Sequence, residues 1–270
     1  MSRRIRLDSE LVRRGLARSR EQATQLIEAG RVSVGGRRAG KPATQVDTAS
    51  AIVVADSQNG PDYVSRGARK LLGALEAFGS LAVEGRRCLD AGASTGGFTD
   101  VLLRRGAAHV LAVDVGYGQL AWSLRTDERV TVMERVNVRD ITPGMVGEPP
   151  TLVVGDLSFI SLRLVLPALA EVAAARADFV MLVKPQFEVG KDRVGAGGVV
   201  RDPGLRASAV RDAAAKAQDL GLTVRGVTAS PLPGPSGNVE YLLWLGKGEG
   251  EPPVADLDAE IQRAVEEGPQ

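Results

Sequence analysis

The run Asp90-Ala91-Gly92-Ala93-Ser94-Thr95-Gly96-Gly97 narrows the folds open to this chain more than any other stretch. It follows Arg87-Cys88-Leu89, which reads as a short buried strand, and leads through Phe98 and Thr99 into a helix carrying Leu102 and Leu103. The next strand, His109 to Val113, ends at Asp114, 22 residues after Gly92. A strand, a glycine turn, a helix and a second strand ending in an acid form the unit by which an open α/β sheet holds a nucleoside-containing ligand. The glycines admit the ligand close to the backbone, and the acid accepts ribose hydroxyls.

Three chemistries fit such a turn. A dinucleotide site requires G-x-G-x-x-G, and Ser94 stands where the second glycine belongs. Gly92-Ala93-Ser94-Thr95-Gly96 also spells the G-x-S-x-G elbow of a hydrolase, whose histidine follows the nucleophile and the acid in the chain. The only histidine, His109, precedes every later acid and reads as a strand-edge residue. S-adenosylmethionine-dependent methyltransferases use D/E-x-G-x-x-x-G-G, which Asp90–Gly97 satisfies in full. The cofactor positions expected on this basis are Asp90, Gly92, Ser94, Thr95, Gly96, Gly97 and Phe98, with Asp114 for the ribose.

Later strands end in polar groups as well. Thr131-Val132-Met133 followed by Asn137-Val138-Arg139-Asp140 forms a third strand end, placing Val138 where such enzymes read adenine. Leu152–Gly155 ends at Asp156, also expected at the cofactor; Asp178–Val183 ends at Lys184, with Pro185 forcing the exit; and a final strand from Val239 opens with Glu240. A helix over 65–78 carries Arg66, Arg69 and Lys70 on one side and Leu71, Leu72, Leu75 and Phe78 toward the core. Strand ends of an open α/β sheet converge on one crevice. A Lys–Asp–Lys–Glu set there offers no metal cage, cysteine nucleophile or histidine base. It suits deprotonation of a weakly acidic hydroxyl, since an amine crowded by burial or a second amine gives up its proton more readily. No metal is expected.

Charge divides the chain. Residues 1–72 hold 14 Lys+Arg against 7 Asp+Glu, a net +7, and the remainder holds 20 against 26, a net −6. The basic end reads as a small module. Asp8 is expected to cap a first helix bearing Leu11, Val12 and Leu16, and Ser19 with Gln22 forms a capping box for a second bearing Ala23, Leu26 and Ile27, stopped by Gly30. Short strands follow around 31–34, at Val46 and at 52–54, with Gly35-Gly36 turning between. The arginines are read as lacking matched acids at i+4, and up to Lys41 they outnumber lysine ten to one. Because the guanidinium fork suits phosphate, Arg4, Arg6, Arg13, Arg14, Arg18, Arg20, Arg37, Arg38 and Lys41, with Arg66 and Arg69, are the expected contacts to RNA or DNA, against the plainer reading of a solvated charged face. Few aromatics (4%) fit recognition of folded rather than single-stranded RNA.

The stretch from Arg6-Leu7-Asp8 through Leu11–Ala17, Ser19–Ala23 and Gly30–Gly36 resembles an S4 domain, a module that binds structured RNA. Taken with Tyr63–Leu71, the Asp90–Gly97 turn, Asp156–Ile160, Lys184–Glu188 and Gly237–Tyr241, the chain resembles the haemolysin A/TlyA family, an S4 domain joined to an FtsJ-like ribose 2′-O-methyltransferase domain. The resemblance implies a Rossmann-like α/β class I methyltransferase sheet with helices on both faces, preceded by a small α+β domain. It assigns S-adenosyl-L-methionine as cofactor and a catalytic tetrad at Lys70, Asp156, Lys184 and Glu240, with Lys184 as base. It further implies methylation of cytidine 2′-hydroxyls in ribosomal RNA within the small and, in some members, the large subunit, linked to capreomycin and viomycin susceptibility. No obligate protein partner is implied.

The expected division is an S4-like domain at 1–56, a linker at 57–62, a catalytic domain at 63–247 and an acidic tail at 248–270. Leu257, Ile261 and Val265 in that tail suit either a short docked helix or a frayed end. The glycine-rich, basic loop Gly190–Arg201, with Lys191, Arg193 and Arg201, reads as ordering over RNA or cofactor, or as a plain surface insertion. A single cysteine, Cys88, and the lack of a signal-peptide core or apolar span point to a soluble cytoplasmic protein. Alternatives at this point are a non-catalytic RNA-binding assembly factor and a membrane-active haemolysin.

Overall fold

The computed structural model describes residues 4–17, 19–54, 63–234 and 236–268, within two compact units, 1–62 and 63–270. Arg18 and the expected linker at 57–62 lie outside the described residues.

In the first unit, strand β1 (Arg4–Arg6) runs into helix α1 (Leu7–Arg13), followed by α2 (Arg20–Glu28). Strands β2 (Val32–Val34), β3 (Arg37–Arg38), β4 (Gln45–Asp47) and β5 (Ile52–Val54) complete it. β1 pairs antiparallel with β4, and β2 lies between β3 and β5. Leu7, Leu11, Ala23, Ile27, Val32 and Val46 form its core. Ser19 Oγ accepts the Gln22 N–H at 3.1 Å, as a cap should. Gly30, in the left-handed region, ends α2 with its N–H on the Ile27 carbonyl and that of Arg31 on the Leu26 carbonyl, a Schellman ending.

Two expectations fail here. Asp8 does not cap α1: the helix begins a residue earlier, and Asp8 is buried in its first turn, gripped by Arg6 (2.8 Å) and Arg20 (3.0 Å). Nor do the arginines lack acids. Buried Glu10 binds Arg13 at 2.6 Å and Arg14 at 2.7 Å, the second pair at i,i+4. Hydrogen bonds from Arg6 hold the Asp8 carboxyl well below the usual range despite its burial, and those from Arg13 do the same for Glu10. Four of the expected phosphate ligands thus already serve buried carboxylates.

The second unit begins with α3 (Ala68–Ala77) and continues β6 (Arg87–Ala91), α4 (Gly97–Arg104), β7 (His109–Asp114), α5 (Trp122–Arg125), β8 (Val130–Glu134) and α6 (Pro143–Val146). Then come β9 (Leu152–Gly155), α7 (Leu162–Val172), β10 (Ala177–Val183), α8 (Pro185–Glu188), α9 (Pro203–Asp219), β11 (Thr223–Ala229), β12 (Tyr241–Lys247) and α10 (Leu257–Glu267). The sheet order is β11-β12-β10-β9-β6-β7-β8, and β12 runs antiparallel to both neighbours. The central strands are buried on both faces, which is why they read as near-continuous apolar runs. Along β6, Leu89 and Ala91 join one core with α7 and α9, while Cys88 joins the other with α3 and α4.

The tail does not fray over 257–267. Ile261, Ala264 and Val265 of α10 are buried against the core that β11 and α9 share, and Asp258 pairs with Arg211 at 2.7 Å. Among the described residues, no helix is long and apolar enough to cross a membrane.

Candidate active site

Chain order reverses between β6 and β9, so their carboxyl ends open a crevice at the switch point of the sheet. Glycine is required on both sides of it. A Cβ on Gly92, whose φ is +83°, would lie 2.8 Å from the Asp156 carbonyl oxygen, so the ends of β6 and β9 approach only because that atom is missing. A Cβ on Gly97 would meet the Ala68 nitrogen at 2.9 Å, and its absence lets the first turn of α4 press against α3. The resulting crevice measures about 370 Å³, within the usual range for small-molecule sites.

Lys70, Asp156 and Lys184 line this crevice, together with Gly92, Ser94, Thr95, Gly97 and Phe98. Lys70 Nζ donates to Glu240 Oε2 at 2.6 Å and to Asp156 Oδ2 at 3.2 Å. Lys184 Nζ lies 2.5 Å from Asp156 Oδ1 and donates to Ser158 Oγ at 2.9 Å. One chain of contacts therefore runs Glu240–Lys70–Asp156–Lys184–Ser158. Its last carboxylate arrives by the antiparallel turn of β12: Tyr241 pairs with Val183, which puts Glu240, at the start of one strand, beside Lys184, at the end of the other. Burial would raise the Asp156 carboxyl, but the charges of Lys184 and Lys70 outweigh it and hold the group below its ordinary range.

Lys70 does not share a surface stripe with Arg66 and Arg69. It is 8% exposed on the inner side of α3 with Leu71 and Ala74, whereas Arg66 and Arg69 are exposed; Arg66 still lines the crevice. A buried amine in that position is tolerable because two carboxylates receive it.

The expected cofactor residues separate into groups. Asp114 closes the glycine turn, its carboxylate accepting the Ser94 N–H at 2.8 Å and the Gly116 N–H at 2.7 Å. With Ala93, Ser94, Gln119 and Glu134 it lines a smaller hollow beside the crevice. Gly96, with φ +98°, is the N-cap residue of α4. Val138 is a core residue packed with α7. Asp90 is fully buried, with Oδ2 accepting from the Thr99 hydroxyl at 2.7 Å and Oδ1 without a partner. Burial raises its carboxyl to about 7, with Asp156 and Asp114 adding to the rise against the Thr99 hydrogen bonds. His109 bridges Arg87 and Thr131 at 2.9 Å each, a structural place.

Other lining residues carry no signal in the sequence: Ser65, Ser158, Leu232 and Pro233 in the crevice, Gln119 and Glu134 in the hollow. Ser158 lies within the Asp156–Ile160 motif, but nothing local marks its hydroxyl. Phe159 follows it, 90% exposed, with φ +63° and its ring 5.2 Å from that of Phe187. The basic loop is built as two short turns, Lys191–Arg193 and Ala196–Gly198, and Asn238 ties it down through the Val200 N–H (2.9 Å) and the Gly198 carbonyl (2.8 Å).

The turn, crevice and donor set fit S-adenosylmethionine: backbone-lined space at the glycine turn, a held acid at the second strand end, and a Lys–Asp–Lys–Glu cluster alongside. Comparison with known proteins agrees. Residues 63–247 match the model of the FtsJ-like methyltransferases and residues 5–52 that of the S4 domain. The chain is 63% identical, over the full length of both, to the 16S/23S rRNA (cytidine-2′-O)-methyltransferase TlyA of Mycobacterium tuberculosis. It is 40% identical to hemolysin A of Brachyspira hyodysenteriae, over 88% of this chain and 98% of that one. A solved structure from Streptococcus thermophilus, assigned to the hemolysins, superposes with a TM-score of 0.74 at 40% identity, covering 98% and 96% of the two chains. With both of its parts and its full length accounted for, the chain belongs to the TlyA/haemolysin A family, FtsJ-like, S-adenosylmethionine-dependent methyltransferases that carry an S4 domain.

Proposed function

We propose that this protein methylates the 2′-hydroxyl of cytidine in ribosomal RNA, acting in the cytoplasm on the small subunit and also on the large. The observation that carries the chemistry is the convergence of Lys70, Asp156, Lys184 and Glu240 beside the glycine turn. The choice of RNA and nucleotide is supported by the M. tuberculosis relative, named for both 16S and 23S rRNA. Residues 1–56 bind the RNA, 57–62 link, and 63–247 catalyse.

S-adenosylmethionine supplies a methyl group on a positively charged sulfur. Ser94, Thr95 and the backbone from Gly92 to Gly97 would hold it, with Asp114 toward its ribose. Lys184, as a free amine, takes the proton of the ribose hydroxyl at Nζ. Asp156 holds both amines, and Lys70 with Glu240 fixes Asp156 in turn. With Lys184 neutral, the tetrad carries one net negative charge, which favours a cation in the crevice. The remaining demand is in-line positioning. Presenting the ribose requires the cytidine to leave its helix, and the exposed ring of Phe159 offers a face for the displaced base.

The decisive experiment incubates separated small and large ribosomal subunits with the protein and labelled methyl donor, then maps ribose methylation. Label on a cytidine 2′-oxygen is expected; label on bases alone, or none, would refute the reading.

A further inference from the structure

We propose that Ser158 is a positioning residue that aims the lone pair of Lys184 into the crevice. This rests on the reading of Lys184 as the base. Nζ is bonded to Cε and has three further directions around it. Ser158 Oγ accepts along one of them at 2.9 Å, while Asp156 Oδ1 lies 2.5 Å away as an ion-pair partner without hydrogen-bond geometry. The carboxylate can only accept, and its charge repels a lone pair; Ser158 accepts from Nζ. Of the two N–H groups of the free amine, Ser158 takes one, and the charge of Asp156 turns the other toward itself. The lone pair is left on the remaining direction, toward the crevice that Lys184, Asp156 and Ser158 all line. With one acceptor alone, the amine could rotate about its Cε–Nζ bond and present an N–H to the incoming hydroxyl instead.

The distance between Oγ and Nζ is not left to chance. Glu188, buried on the turn that follows Lys184, accepts the Ser161 hydroxyl at 2.5 Å and the Leu162 N–H at 2.7 Å. That pins the loop after β9, which carries Ser158, to the turn after β10, which carries Lys184. This fastening holds a hydroxyl against an amine 26 positions away. Ser158 itself is exposed to the crevice, so its replacement does not threaten the core.

The experiment compares Ser158→Ala and Ser158→Thr with the wild-type enzyme, using ribosomal subunits as substrate and calorimetry for S-adenosylmethionine. Ser158→Ala should lower kcat about 10- to 100-fold, while the KM for RNA and the cofactor Kd stay within about twofold. Ser158→Thr keeps the hydroxyl and should recover kcat to within about fivefold of wild type. Wild-type kcat in Ser158→Ala would overturn the proposal, as would equal impairment of both variants or a loss confined to KM. Lys184→Ala run alongside separates the two ideas. If Lys184→Ala is inactive and Ser158→Ala is fully active, only the aiming role falls; if Lys184→Ala keeps its turnover, the base assignment falls and the aiming role with it.

Discussion

Lys70 Nζ lies 2.6 Å from Glu240 Oε2, a contact across 170 positions that joins the first helix of the catalytic unit to the start of its last strand. Glu240 is 0% exposed, so its charge is acceptable only with Lys70 in place. Glu240→Gln leaves the ammonium matched by Asp156 alone, at 3.2 Å. The loss of one partner from such a buried pair costs about 3–5 kcal/mol. Thermal unfolding should show a midpoint lower by about 10 °C, and turnover should fall by about 100-fold or more. An unchanged midpoint with wild-type turnover would show that the pair matters to neither fold nor reaction.

Lys184→Ala removes the proposed proton acceptor but none of the glycine turn. Methyl transfer to ribosomal subunits should vanish, while calorimetric affinity for S-adenosylmethionine stays within about threefold. Turnover near the wild-type rate would exclude Lys184 as base.

The glycine turn and strand ends are legible in the sequence because each is local: Gly92, Asp114, Asp156 and Lys184 sit where a buried run stops, and open α/β sheets bring such stops together. Glu240 is legible only as the start of a strand; its usefulness depends on β12 running antiparallel, which is a tertiary fact. The inward turn of Lys70 is hidden, because helical spacing cannot show that two distant carboxylates will receive a lysine on the core side. The same holds for Asp8 and Glu10, since polar residues read as surface until arginines are seen to cover them. Val138 falls where expected along the chain, but its side chain points into the core.

Asp90 gives the catalytic unit a pH dependence of definite sign. Its carboxyl is raised from the ordinary value to about 7 in the folded state, so between about pH 4 and pH 7 the native protein holds a proton that the unfolded chain has released. Stability contributed by this group therefore falls as pH rises through that window, by up to about 1.4 kcal/mol per unit. Asp90→Asn keeps the shape without the titration. Relative to wild type, its unfolding free energy should improve by on the order of 2 kcal/mol between pH 5 and pH 7. A constant difference across that range would mean that Asp90 is ionised in the folded protein.

Phe159 is held in a left-handed backbone with its ring in solvent, an arrangement that burial does not explain. Phe159→Ala should leave cofactor affinity and thermal midpoint nearly unchanged and lower kcat/KM on ribosomal subunits about tenfold, as loss of a stacked base would. Wild-type kcat/KM would remove the ring from the account of substrate presentation.

The basic residues of the first unit should not contribute alike to RNA binding. Arg13 and Arg14 are committed to buried Glu10, and Arg6 and Arg20 to buried Asp8, so a phosphate could recruit them only by weakening those pairs. Arg37, Arg38 and Lys41 are exposed. Every phosphate that a variant no longer neutralises should flatten the dependence of log affinity on log salt by roughly 0.7–0.9. The triple replacement of Arg37, Arg38 and Lys41 by Ala should therefore lower the slope by about 2–3 and leave thermal stability close to wild type. The Arg13→Ala, Arg14→Ala pair should instead destabilise the first unit, with a slope change below about 1. Removal of residues 1–60 should preserve S-adenosylmethionine binding and flatten the slope further than either. If the Arg13–Arg14 pair flattens it as much as the exposed triple does, those ion pairs open on RNA and Glu10 is no brake on binding.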